Sequence, residues 1–115
     1  MSNLEGMLTV QPAWLLFARF SMEFQAGDLD AAERVITDVD MKRAPLLAFA
    51  NVLMARDEES DARAVAAYRY LRSTEPRLTD APQLDLMARG FDQRVAARLA
   101  TAFQTSRKRL LPTLF

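Results

Sequence analysis

Apolar residues along this chain recur at intervals of three and four, and nowhere alternate with period two over the length of a strand. That spacing gathers them on one face of a helix and predicts an all-α protein. From Pro12 to Ala26, Ala13, Leu16, Phe17, Phe20 and Phe24 share a helical face, and Gly27 supplies the stop. A second helix follows a cap at Asp28 or Asp30, the latter with capping-box spacing to Glu33. It carries Leu29, Ala32, Val35, Ile36 and Val39, and Met41 to Arg43 reads as a connection. A third helix runs from Pro45 to about Arg56 with Leu46, Leu47, Ala50, Leu53 and Met54 in register.

The acidic run Asp57 to Asp61 reads as a solvated turn, with Ser60 or Asp61 capping a fourth helix. That helix holds Ala64, Val65, Tyr68 and Leu71 and stops before Pro76. Arg77 to Asp80 is a link; Asp80 and Gln83 then bracket Pro82 as a capping box for a fifth element with Leu84, Met87 and Ala88 apolar. After Gly90, Asp92 caps a sixth element with Val95, Ala96, Leu99, Ala102 and Phe103. The fifth and sixth also fit one kinked helix, because an internal glycine costs only about 1 kcal/mol. The expected organisation is a lead over residues 1–11, a single helical domain over 12–106, and a basic and apolar tail over 107–115.

Paired in order, these elements make three antiparallel hairpins. An alanine recurs in the second helix of each, at Ala32, Ala64 and Ala96, a constant step of 32 residues. Gly27-Asp28-Leu29-Asp30-Ala31-Ala32 resembles the turn and second-helix start of a tetratricopeptide repeat. Ala64-Val65-Ala66-Ala67-Tyr68, followed by Pro76, is similar to the rest of such a helix and its closing proline. A short tetratricopeptide-like solenoid and a compact helical bundle both satisfy this pattern, since alanine is also simply a good helix former.

Composition narrows the chemistry. Lys plus Arg and Asp plus Glu number 15 each, so the net charge is zero and the surplus of cations expected of a nucleic-acid binder is absent. Without Cys or His, thiol nucleophiles, disulfides, the usual zinc sites and His-based acid–base pairs are excluded. No phosphate-cradling Gly-rich loop occurs, and Asp28, Asp30, Asp38 and Asp40 lack the central glycine and closing glutamate of a calcium loop. The expectation is a non-enzyme with no catalytic, cofactor or metal site. The absence of a basic N-terminal patch before an apolar run, and of any apolar stretch near twenty residues, points to a cytoplasmic protein that does not enter a membrane.

Apolar residues beyond one core stripe suggest a partner. Trp14, Leu15, Ala18 and Met22 oppose the core stripe of the first helix, and Phe49 and Val52 lie away from that of the third. Trp14, Leu15, Met22, Phe49 and Val52 either line a groove for an amphipathic helix or belong to a helix buried all round. Leu114 and Phe115 end the tail; they either dock on a partner or fold back beside the cations Arg107, Lys108 and Arg109.

Small chains of three helical hairpins look like the tetratricopeptide-type chaperones of type III secretion systems that hold the needle subunit. The resemblance covers about Leu29 to Phe103 and rests on hairpin order, length and Ala-rich second helices. It implies a chaperone or adaptor that sequesters an amphipathic helix of a self-assembling subunit, often with a second small helical chaperone. An inhibitor of a bacterial protein, of phage or plasmid type, would carry the same fold signals. A small helical DNA-binding regulator would have to use Arg94, Arg98, Arg107, Lys108 and Arg109.

Overall fold

Pro12 presets the backbone for the first helix, and its carbonyl accepts from the amides of Leu15 and Leu16 at 3.1 Å. In the computed structural model, which describes residues 11–114, this helix (α1) spans Ala13–Gln25. Gly27, at φ +85°, then turns the chain in the left-handed region that side chains avoid. Asp28 caps α2 (Leu29–Ile36) by accepting from the Ala31 amide at 3.0 Å. Asp30 and Glu33 make no box; both carboxylates reach Arg56 instead, at 2.8 and 3.2 Å. A 3-10 turn at Met41–Arg43, capped by Asp40, leads to α3 (Pro45–Leu53).

The acidic run is the first turn of a helix rather than a loop. Asp57 is the cap of α4 (Glu58–Thr74): its carboxylate accepts from the Ser60 amide at 2.8 Å, while the Ser60 hydroxyl accepts from the Asp57 amide at 3.0 Å. Glu58, Glu59 and Asp61 follow in the first turn, where the helix dipole favours negative charge. Prolines open the next two helices, α5 (Pro76–Asp80) where the sequence reads as a link, and α6 (Pro82–Ala88). Ala81, not Asp80, precedes α6, and no side chain caps it. Gly90, at φ +99°, separates α6 from α7 (Gln93–Leu114), so this region is two helices.

Among the described residues the fold is all-α. The pairs α1–α2, α3–α4 and α6–α7 form the hairpins, and they gather around α3, which touches α1, α2, α4 and α7. The third hairpin meets the centre chiefly through its second helix, α7. Every residue of α3 from Leu47 to Leu53 is buried in consequence. An aromatic chain crosses this centre. Phe49 lies parallel to Phe103 of α7 at 4.6 Å, edge-on to Phe17 of α1 at 6.3 Å, and Phe103 stacks in turn on Tyr68 of α4 at 6.1 Å. Such pairs contribute about 0.5–1.5 kcal/mol each beyond burial. Ala32, Ala64 and Ala96 are each fully buried in the second helix of their hairpin, where a small side chain permits close approach.

Residues 107 to 114 do not form a separate tail; they complete α7. Arg109 grips Asp61 with Nε and Nη2, both at 3.0 Å, Arg69 donates to the Thr113 carbonyl at 3.2 Å, and Leu110 is buried. These contacts bind the end of α7 to α4, and the helix continues through Pro112. Truncating Leu110→Ala should therefore lower stability by about 2–5 kcal/mol, read as a shift in the urea unfolding midpoint.

The cap of α4 predicts a pH dependence. Hydrogen bonds from the backbone and hydroxyl of Ser60 hold the Asp57 carboxyl below its ordinary range, with Arg56 and Arg63 adding to the effect. A carboxyl depressed in the folded state stabilises fully above its unfolded pKa and loses that contribution as pH falls through the folded value. Asp57→Ala should thus destabilise most at neutral pH, and the gap to the native chain should narrow below about pH 4, in denaturant titrations at stepped pH.

Candidate partner-binding surface

The inner face of α1 is spent on the core: Leu16, Phe17 and Phe20 are buried, and Phe24 packs on Phe20 at 5.5 Å. Its outer face carries Trp14 and Met22, which are 68% and 66% exposed, with the exposed Ala18 between them. Spaced by four residues, the three form one stripe about 12 Å long. Leu15 flanks it, half-buried. The helix below is held firmly. Gln25 donates to the Ser21 hydroxyl at 2.8 Å, and Arg43 donates to the Gln11 carbonyl at 2.6 Å, anchoring the approach to α1.

Met22 also forms the rim of a groove between α1 and α2. This groove holds about 290 Å³ and is lined by Arg19, Met22, Glu23, Ala31, Arg34 and Val35. Small and partly buried apolar side chains make its floor, and charges of both signs its edges. On the far side of α2, Arg56 draws Asp30 and Glu33 together, and these bonds raise its own pKa above the ordinary arginine value. Arg63 adds a contact to Glu33 at 3.4 Å. The pairs tie α2 to the α3–α4 connection and so stiffen the wall of the groove.

Two of the residues expected on this surface lie elsewhere. Phe49 and Val52 are fully buried, because α3 is enclosed by four neighbouring elements and has no outer face to present. Their distance from the centre of the Leu46/Ala50/Leu53 stripe reflects burial on every side. Trp14, Leu15 and Met22 remain together at the surface. Leu114 is half-buried at the end of α7, and Phe115 lies outside the described residues.

Other exposed apolar side chains escaped the sequence pattern. Leu84 is 70% exposed, and Met87 and Leu111 are also at the surface, although Leu84 and Met87 read as core positions. Helix α6 spans two turns, too few for periodicity to separate its inner face from its outer one; Leu86 is its buried leucine. Among the described residues, no group of three or more acidic side chains is arranged to hold a metal ion, and no helix is long and apolar enough to cross a membrane. Asp28 and Asp40 act as caps, and Asp30 is paired with Arg56.

The difference between α1 and α3 is measurable. Phe49→Ala should cost about 3–5 kcal/mol, whereas Trp14→Ala should change stability by no more than about 0.5 kcal/mol, both from chemical unfolding followed by circular dichroism.

No family model matches this chain, and comparison with curated proteins and with solved structures finds no match to either.

Proposed function

We propose that this chain is a protein-binding chaperone or adaptor that receives an amphipathic helix of its partner against α1. One observation carries the reading: the exposure of Trp14 and Met22 on one face of a well-anchored helix, beside the α1–α2 groove. Isolated exposed apolar residues are ordinary, but a tryptophan and a methionine in register on one stripe suit an adaptable helix-binding surface.

Magnitudes define what the surface needs. Burying the two side chains yields roughly 3–6 kcal/mol, while association costs about 4–15 kcal/mol. The stripe alone is too small, so useful affinity draws on Leu15, Val35 and the groove floor. A pre-formed wall keeps the ordering cost low. Sequestration then works by mass action: a partner helix held here is withdrawn from its own assembly. The hairpin order and Ala-rich second helices that resemble needle-subunit chaperones make a self-assembling type III secretion subunit the first partner to try, alongside a second small helical chaperone. Catalysis and a cofactor have no place in this mechanism.

Trp14 is the single tryptophan of the chain, so its emission reports directly on this face. Titration with a purified needle-type subunit should shift that emission to the blue as the indole leaves water. Met22→Asp should weaken the complex by about tenfold or more with the circular dichroism spectrum unchanged. A folded Met22→Asp chain that holds the subunit as tightly as the native one removes α1 from the binding surface. No binding of such subunits at all rejects the secretion assignment.

A further inference from the structure

The zero net charge conceals a separation along the chain. Residues 1–61 contain eleven Asp and Glu against five Lys and Arg, whereas residues 62–115 contain four against ten. The imbalance peaks in α7, which has five cations and no acidic residue. Two of those cations are engaged: Arg109 on Asp61, and Arg107 half-buried with its guanidinium 6.0 Å from the Tyr68 ring. The other three, Arg94, Arg98 and Lys108, are exposed. At 100° per residue they fall on one face of α7 with Thr101 and Thr105, and Leu111 lies about 60° round the helix from Lys108.

That face borders a groove. Between the start of α6 and the middle of α7 lies a depression of about 480 Å³, with Pro82 and Leu84 on one wall and Ala100, Thr101, Thr105 and Lys108 on the other. Leu84 stands largely in water at its edge, and Leu111 continues the apolar line one turn beyond Lys108. Of the acids near this surface, Asp85 is bound by Arg89 at 3.0 Å, Asp92 accepts from the Arg94 amide at 3.0 Å at the start of α7, and Asp80 at the end of α5 adjoins the groove. From Arg94 to Leu111 the surface runs about 25 Å, the length of a helix of roughly 17 residues.

We infer that the α6–α7 groove binds an acidic amphipathic helix of a partner protein, whose apolar stripe covers Leu84 and Leu111 and whose carboxylates face Arg94, Arg98 and Lys108. Charge complementarity selects this occupant. Leu84 at the groove's edge and Leu111 beyond it call for apolar side chains; apart from Lys108 the lining is uncharged, though it includes Gln83 and Gln104. Lys108 on the rim, with Arg94 and Arg98 further along the same helix, calls for acids beside them. A nucleic-acid duplex fits less well: three exposed cations on a chain of zero net charge are few for phosphate binding, and Leu84 and Leu111 would face a polar backbone. The surface belongs to a different hairpin from α1 and is independent of the reading given to Trp14 and Met22.

The test uses the full chain and fluorescence anisotropy with three labelled probes: a helical peptide of roughly 18 residues with a leucine stripe flanked by glutamates, the same peptide with lysines for glutamates, and a short DNA duplex. The glutamate peptide should bind at least about tenfold more tightly than the lysine peptide and weaken as salt is raised. Lys108→Glu and Leu84→Asp, both at exposed positions, should each weaken it by about tenfold, while Ser73→Ala, at an exposed position of α4, leaves it unchanged. Equal binding of the two peptides, insensitivity to both groove variants, or tighter binding of the duplex would overturn the inference.

Discussion

The structure depends on a short helix having no surface of its own. With Leu47 to Leu53 buried on every side, α3 acts as a post against which α1, α4 and α7 close, and the Phe49–Phe103 stack joins elements 54 residues apart in the chain. Phe17 meets Phe49 edge-on and Tyr68 continues the row from the other side. Each hairpin therefore contributes an aromatic ring to one continuous contact, so local hairpins become one cooperative unit.

This centre explains which parts of the molecule the sequence disclosed. Helices with one wet face, α1 and α4, leave a clear stripe in the sequence, and glycines or prolines mark most of the boundaries. The anchors Ala32, Ala64 and Ala96 are legible for the same reason: an invariable spacing of small residues reports close helix contacts. What periodicity lacks is a signal for enclosure. Phe49 and Val52 look surplus to one stripe, and only the arrival of α7 on the far side of α3 accounts for them. Leu84 errs in the opposite sense, since a two-turn helix offers too short a pattern to orient. The end of α7 depends on a contact 48 residues away in sequence, Arg109 with Asp61, which no local pattern reports.

Charge follows a similar logic. The acids of the first half are largely committed to the fold: Asp28 and Asp57 to helix caps, Asp30 and Glu33 to Arg56, Asp61 to Arg109. Those of the second half are too few to engage its arginines in the same way. A balanced total thus yields an unbalanced surface, and the excess appears on the exposed face of α7. Local partnering, rather than net charge, decides what this molecule shows to an approaching chain.

Both candidate surfaces lie on helices whose opposite faces are locked into the core, and this has an energetic consequence. A binding stripe on a loose element must be ordered when the partner arrives, at about 0.5–1.5 kcal/mol for each immobilised side chain. Trp14 and Met22 project from a helix fastened through Phe17 and Phe20, and Lys108 from one fastened through Phe103 and Leu110. The backbone beneath them is already in place, so the ordering cost is confined to side-chain rotamers. Small apolar areas that would be too weak on a mobile segment become adequate on such supports, provided the partner is itself helical and brings its apolar residues in register. The buried post and the exposed stripes are therefore two sides of one arrangement: α3 from Leu47 onward gives up its contact with solvent, and the helices around it gain the rigidity to use theirs.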